Sequence, residues 1–437
     1  MLRPATSTPR PLLMRSLRLT VFCPSDTSPS AYVPRLTSEA IRGSLHALAD
    51  IIRAARNLED LHIDNIHNIT CIHEELSEVI RSLQKLKAIH CTNVGPDEAN
   101  MISNIGSPLT KISLDFEAMP PDTKFFRWDF EPMDYVLSHR NTLTELRLSN
   151  TPSYPKFSGD IVFPHLRRLT IYASGIEFIW LGDMAKELPN LKFLELRSRD
   201  PRDLDQGELR ERRLENAGRN RAMGTWSSLD TLICDIEYAH ALAFPCPVRY
   251  WHGVHLGYKA GLYLFRCVLE DIRPAHLDIV LDVFALSRTD IFPRSAPYVT
   301  HLNVEMCELA SLCSPDELAW LEEIFESFTA SLRNLSLTFL SIRFQFDEVD
   351  VYLRNLDQRK YVLALARALP TLEHVCIQFR WSQQPDGCWT ITRPVEGRIR
   401  LALLGAAATM RVLENSPFAE KLCNLKEFRY WDYESSR

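Results

Sequence analysis

Leucines recur at a nearly fixed spacing between residues 141 and 196, in a pattern that alternates apolar and polar positions. The copies read NTLTELRL, FPHLRRLTI and LPNLKFLEL, and each contains Leu-x-x-Leu-x-Leu/Ile after a turn-forming residue. Their opening leucines, Leu143, Leu166 and Leu191, lie 23 and 25 residues apart. This period predicts stacked units of one short strand and a return segment, as in leucine-rich repeats.

Each copy also predicts a strand with one buried face, because Leu169 and Ile171 alternate with polar residues. One unit cannot bury such a face, whereas stacked units share a continuous core. Proline stands two residues before several copies. Because proline ends a helix, its position indicates where a return segment stops and the next strand begins. We therefore predict an α/β fold, an irregular leucine-rich-repeat solenoid with a curved parallel sheet and outer helices. The pattern starts at seven leucines: Leu58, Leu109, Leu143, Leu166, Leu191, Leu332 and Leu372.

Three regions follow from this pattern. Residues 1–37 are expected to hold a leader and a first strand, and residues 38–374 the solenoid. Inside it, residues 197–221 mix arginines and acids at helical spacing, which indicates a solvated, salt-bridged insertion. The repeat boundaries are indistinct between 229 and 298.

The third region, 375–437, is predicted to close the stack with a last repeat strand, a hairpin and a cap. Pro-Asp-Gly at 385–387 separates two aromatic-rich strands and favours a tight turn. A helix over 397–415 and a final strand over 425–433 are expected to follow. Such a cap protects the open end of a repeat stack from solvent.

Composition restricts the kinds of partner and the cellular compartment expected for the protein. The net charge of −6 and pI near 6.1 argue against nucleic acid or an anionic membrane as partner. The chain has 11 cysteines and no C-x-x-C pair, which favours free thiols in a reducing compartment. No apolar run reaches the length of a membrane helix. We expect a cytoplasmic or nuclear monomer.

Motifs for catalysis are absent from the sequence. There is no phosphate loop, no G-x-G-x-x-G and no G-x-S-x-G. One group of residues has the chemistry of zinc ligands, but its spacing matches no known signature, and a solvated loop is the favoured interpretation. We therefore predict no catalytic, cofactor-binding or metal residues. The group comprises His62, Asp64, His67, Cys71, His73, Glu74 and Glu75.

Strand residues that point away from the core are the candidates for contact with a partner. Alternate residues of a strand lie on opposite faces of the sheet, so the residues that alternate with the buried leucines are expected on the face away from the core. They are Arg147, Arg168, Thr170, Tyr172, Glu195, Arg197, Asn303, Glu305 and Gln378.

The chain resembles the leucine-rich region of fungal F-box proteins. The resemblance lies in the leader RPLLMRSLRLTVF, the helix before RNLEDLHI, the P-x-L-x-x-L-x-L entries and a W-x7-W hairpin ending in TITRP. In that family a helical F-box docks on the adaptor of a cullin ubiquitin ligase, and the repeats hold the substrate. No Leu-Pro-x-Glu-Ile-like helix start precedes Leu17. Adaptor binding is therefore expected only through a cryptic F-box or one outside this chain.

The expected function is a non-catalytic protein–protein interaction module, resembling the substrate-binding region of a ubiquitin-ligase receptor. One alternative is a leucine-rich-repeat scaffold or regulator unrelated to ubiquitin. A remote alternative is an enzyme with an unrecognised site, for which a deep pocket with perturbed carboxylates or histidines would be the sign.

Overall fold

The computed structural model describes most of the chain, in two compact units. One unit contains Met1–Asp205 and Gly218–Trp226, and the other contains Gln206–Ala217 and Ser227–Arg437. The described residues are 14–20, 38–67, 74–116, 131–151, 155–173, 179–198, 206–256, 261–282, 291–307, 317–344, 357–379, 387–394 and 398–418.

The first unit contains seven described strands that pair in sequence order, all parallel. Each strand therefore contacts only the strands next to it along the chain, as the repeat pattern predicts. The strands are β1 (Ser16–Thr20), β2 (Asp60–Asp64), β3 (Ala88–Thr92), β4 (Lys111–Asp115), β5 (Glu145–Thr151), β6 (Arg168–Ala173) and β7 (Phe193–Ser198).

Helices return the chain between these strands. A 3₁₀ helix, Pro132–His139, takes this role between β4 and β5, and the side chain of Glu131 accepts a hydrogen bond from the backbone of Met133 at its start. The α-helices are α1 (Ser38–Ala54), α2 (Glu74–Arg81), α3 (Pro96–Ser103) and α4 (Leu181–Glu187).

The strands of the second unit are parallel at first and antiparallel at its C-terminal end. Its strands pair in sequence order, and β13–β14 and β14–β15 are antiparallel. The strands are β8 (Leu229–Cys234), β9 (Val248–Leu256), β10 (His276–Asp282), β11 (His301–Cys307), β12 (Phe339–Phe344), β13 (His374–Phe379), β14 (Gly387–Thr392) and β15 (Arg400–Leu403).

The helices of this half lie mostly between parallel strands. Asp357 caps α9 by accepting a hydrogen bond from the Lys360 amide, which satisfies one of the unpaired donors of the first turn. The helices are α5 (Gln206–Met223), of which Gln206–Ala217 belongs to this unit, α6 (Ile236–Leu242), α7 (Gly261–Ile272), α8 (Glu317–Leu332), α9 (Gln358–Ala368) and α10 (Ala406–Glu414).

The leucines of the repeat form the core of the first unit. Leu143, Leu166 and Leu191 are completely or almost completely buried. Along the sheet, Leu146, Leu169 and Leu194 stand side by side in register. The alternation read from the sequence therefore corresponds to a continuous apolar layer.

Asparagine directly follows β2 and β3 and lies near the end of β5. Asn65, Asn93 and Asn150 all have positive φ, close to +55°. Asparagine tolerates this left-handed conformation better than most residues, so it suits the sharp turn out of the strand. The backbone N–H of Asn65 also donates a hydrogen bond to Thr92 Oγ1 of β3, at 2.9 Å.

The segment 206–223 is mostly exposed and carries a salt bridge between Arg212 and Glu208, but it is not solvated on every side. It forms α5, in which Leu209 is buried and Arg213 binds Asp271 at 2.7 Å. Asn216 donates to the Ala241 carbonyl at 2.8 Å. These residues recur at helical spacing, so one side of α5 packs. Polar side chains form much of that side, which is why hydrophobic periodicity does not predict its burial.

The irregular region 229–298 contains a strand, β9, that the repeat pattern misses. Its buried residues are Val248, Trp251, Val254 and Leu256, whose spacing is not a strict alternation. Gly253 has φ +77°, and the register with β10 shifts at this point. A bulge inserts one extra residue and so breaks the period of two.

The C-terminal region agrees with the predicted hairpin and differs in its helix. The antiparallel pair β13–β14 is confirmed, although its turn, 380–386, lies outside the described residues. Residues 400–403 form β15 rather than the start of a helix, because they pair with β14. The helix begins only at Ala406. The predicted strand 425–433 lies outside the described residues, as do residues 1–13 of the leader.

The hairpin also corrects the expectation of free thiols. Cys376 and Cys388 stand opposite each other, with Cα atoms 4.1 Å apart, and form a disulfide. Spacing along the sequence does not indicate this pair, since the antiparallel register brings the two together. Among the described residues, Cys91, Cys246 and Cys267 are free thiols.

A buried histidine in α6 makes stability depend on pH. His240 is completely buried, and burial together with Arg213 and Arg210 lowers its pKa from 6.5 to about 4. The native state therefore binds fewer protons than the unfolded chain between these values. We expect about 3 kcal/mol of stability, fully present above pH 6.5, to be lost as the pH falls through 4.

Urea unfolding of a His240→Leu variant at a series of pH values tests this expectation. The variant should lose less stability than the wild type between pH 6.5 and 4. His165→Leu, at an exposed position, is the matched control and should keep the wild-type slope. Equal slopes for wild type and His240→Leu would contradict the prediction.

Candidate functional site

The side of β4–β7 opposite the leucine core presents polar and aromatic side chains, and we call it the first-unit face. Arg168, Thr170 and Tyr172 alternate along β6 with Leu169 and Ile171, so they lie on this side. In register with them are residues of the flanking strands. The face comprises Lys111, Ser113, Asp115, Glu145, Arg147, Ser149, Arg168, Thr170, Tyr172, Phe193, Glu195 and Arg197.

A hydrogen-bonded cluster occupies the centre of the first-unit face. The Tyr172 hydroxyl donates to Glu195 Oε1 at 2.7 Å, and the Thr170 hydroxyl donates to Glu195 Oε2 at 3.4 Å. Arg197 Nε lies 2.7 Å from the same carboxylate. Glu195 is only 8% exposed, so these partners satisfy a buried charge.

Tyr172 remains a proton donor in this cluster. Burial and the Glu195 carboxylate raise the pKa of Tyr172 to about 12. The phenol is therefore protonated at neutral pH and available to hold Glu195. Its role here is to fix the geometry of the cluster, not to transfer a proton.

Cations lie over the aromatic rings at the border of this cluster. The Arg147 guanidinium is 5.2 Å from the Tyr172 ring centre, and that of Arg168 is 3.8 Å from the Phe193 ring centre. Arg168 also lies 3.9 Å from Glu145, yet its side chain is 51% exposed. The rings restrict these arginines while leaving them accessible to a partner.

The corresponding side of the second unit is mostly buried. Asn303 is fully buried and donates to Asp278 Oδ1 at 2.6 Å. Arg343 donates to Gln378 at 3.3 Å and lies 3.5 Å from Glu305. Asn303, Gln378 and Glu305 therefore make contacts within the protein.

The C-terminal segment covers part of this second side. Leu413 of α10 and Phe418 pack against Phe339 of β12 and the Cys376–Cys388 pair. The hairpin and α10 thus bury strand residues that an uncapped repeat would expose. Sequence alternation predicts the direction of these side chains, but not the segment that packs over them.

A cavity of about 240 Å³ lies beside this covering segment. His301, His374, Glu373 and Arg411 contribute to its lining, and burial lowers the pKa of His301. Its two hydroxyl groups, of Thr338 and Ser416, donate to backbone carbonyls.

Neither hydroxyl is therefore arranged as a nucleophile beside a histidine, as hydrolytic catalysis by such a pair would require. The cavity can accommodate a small polar ligand, and its contacts supply no evidence of a reaction.

The described members of the predicted group with zinc-ligand chemistry are not brought together into one site. Asp64 accepts a hydrogen bond from Thr20, and Glu75 binds Arg53. His67 lies 3.3 Å from Glu98. Cys71 and His73 lie outside the described residues.

His62 has a different neighbour, His90 of β3. The two rings stack with centres 4.1 Å apart, and Asp60 lies beside both. Burial and the neighbouring His62 lower the pKa of His90.

Sequence reasoning missed His90 and Arg343, although the repeat itself contains the signal. His90 stands four residues after Leu86, as His62 stands four residues after Leu58. Arg343 occupies the register position between Glu305 and Gln378. Aligning the repeats position by position would have placed His90 beside His62, and Arg343 beside Glu305 and Gln378.

Within the described part of the chain, no helix is both long and apolar enough to cross a membrane. Comparison with known proteins gives no family assignment: no protein-family model matches the sequence, and no curated protein is significantly similar to it.

Proposed function

We propose that this chain is a leucine-rich-repeat protein that binds another protein through the first-unit face. The observation that carries the proposal is the pair of exposed arginines, Arg147 and Arg168, held over Tyr172 and Phe193. Arginine and tyrosine are enriched among residues that dominate binding energy at protein interfaces.

Preorganisation supports this choice of surface. The Glu195 cluster fixes Tyr172, and Tyr172 in turn lies under Arg147. A partner that contacts these side chains would order fewer rotamers than on an ordinary arginine-rich surface. The face also mixes both charges, which suits a protein partner better than a polyanion.

The repeat assignment supports the same function. Strands in sequence order, with a buried leucine two residues before each of β2–β7, fit a leucine-rich stack, and such stacks use sheet surfaces for binding. The resemblance to fungal F-box proteins extends the proposal: the partner would be a substrate of a cullin-type ubiquitin ligase. A scaffold or regulator unrelated to ubiquitin is the alternative.

The test is quantitative mass spectrometry of proteins that co-purify with the tagged chain from its native cells. We compare the wild type with Arg147→Glu/Arg168→Glu, and Arg140→Glu serves as control because Arg140 is exposed outside the sheet. The double variant should bind the recovered partner at least about tenfold more weakly, as loss of interface arginines commonly does. Equal recovery by all three proteins would exclude this face.

The same experiment separates the two alternatives. Recovery of the cullin-ligase adaptor with the wild type supports the receptor function. Recovery of a partner without the adaptor supports a scaffold or regulator. Tyr172 is left unchanged in these variants because it holds Glu195. Its removal would also lower the stability of the protein, and weaker binding would then have two causes.

A further inference from the structure

Three side chains with metal-ligand chemistry meet on adjacent strands of the first unit. Asp60 and His62 are two residues apart on β2, so both lie on the same side of the sheet. His90 of β3 pairs in register with His62. The repeat therefore builds this group from two strands without any irregular backbone.

The distances among these side chains suit a shared ion. Asp60 Oδ1 lies 3.2 Å from His62 Nε2 and 3.9 Å from His90 Nε2. One ligand atom from each of the three residues can be chosen so that all lie within 4.8 Å of one another. Ligands of a zinc ion about 2.0–2.1 Å away would be separated by only slightly more than 3 Å, so small side-chain rotations would suffice.

The carboxylate oxygen also lacks another partner. Asp60 Oδ1 is enclosed and receives no hydrogen bond from the described residues. Enclosed polar oxygens in proteins normally have a donor or a cation. A cation between Asp60 and the two rings would satisfy the oxygen.

We propose that Asp60, His62 and His90 bind a divalent transition-metal ion of the zinc class. Two imidazoles and one carboxylate suit zinc, nickel or copper better than magnesium or calcium, which prefer oxygen ligands. All three side chains are partly exposed, so water can complete the coordination. This site does not include Arg147 or Arg168, so a failure to bind metal would not contradict the proposed protein-binding function.

The experiment is a competition titration of Zn²⁺ against a chromophoric chelator, using the full chain without an affinity tag. The wild type should bind one more ion per chain than the triple variant Asp60→Asn/His62→Gln/His90→Gln. That difference removes the background from the 11 cysteines. Each single variant should weaken binding by at least about tenfold, since even residues that only support metal ligands have effects of this size.

Matched controls test the geometry. Asp64→Asn removes a carboxylate from the same strand, and His165→Gln removes an exposed histidine elsewhere. Both should keep wild-type affinity. The proposal is overturned if the triple variant binds as many ions as the wild type, or if Asp64→Asn weakens binding as much as Asp60→Asn.

Two further measurements separate metal binding from folding. Circular dichroism should give the same metal-free spectrum for wild type and triple variant, and Zn²⁺ should raise the urea midpoint of the wild type alone. In the Co²⁺-loaded protein, visible absorption bands should appear in the wild type and be absent from the triple variant. Identical Co²⁺ spectra for the two proteins would exclude the site.

Discussion

Leu169→Ala is expected to lower the free energy of unfolding by about 2–5 kcal/mol, as for other completely buried leucines. Leu169 of β6 lies between Leu146 of β5 and Leu194 of β7, and all three are fully buried. Removing its side chain leaves a cavity that neighbours on both sides cannot readily fill. Urea unfolding followed by circular dichroism measures the loss.

Leu214→Ala provides the matched control for this measurement. Leu214 of α5 is 75% exposed, so the same chemical change there should alter stability by less than about 0.5 kcal/mol. Equal effects of the two substitutions would mean that Leu169 does not face the core, and the register of the repeat would then be wrong.

Arg343→Met should destabilise the protein by about 3–5 kcal/mol, because it removes a partner from a buried charge. The side chains of Arg343 and Glu305 are 8% and 12% exposed, and Arg343 also donates to Gln378. If this side of the second unit were an open binding surface, the pair would be solvated and its loss would cost about 0–1 kcal/mol.

A second substitution shows whether the charge is the cause. In Arg343→Met/Glu305→Leu the carboxylate is removed as well, so the double variant should recover part of the lost stability. Lys360→Met removes an exposed partner of Glu322 and should have little effect. Failure of the double variant to improve on Arg343→Met would show that the loss comes from packing alone.

Much of the fold could be predicted from the sequence because its core repeats. Leu143, Leu166 and Leu191 open three copies of one pattern, and that pattern predicts a strand, a buried layer and a return segment together. Alternation on β6 also predicts which side Arg168 and Tyr172 occupy. These inferences depend only on local periodicity, which is a property of neighbouring residues in the chain.

The candidate site was predictable only in part, because exposure depends on distant segments. Arg168 remains exposed, while Asn303, which the same alternation selects, is fully buried. Polar residues at the same position of the repeat can thus be exposed to solvent or buried beneath other parts of the chain.

The amino-acid sequence by itself determined the strand-and-return unit, the leucine core and the antiparallel hairpin near the end. The tertiary structure decided that Phe418 packs on Phe339, that Cys376 meets Cys388, and that His90 stacks on His62. The physical reason is the range of the interactions. Periodicity and turn chemistry act between near neighbours, whereas burial and cross-strand contacts depend on register and packing among residues far apart in the chain.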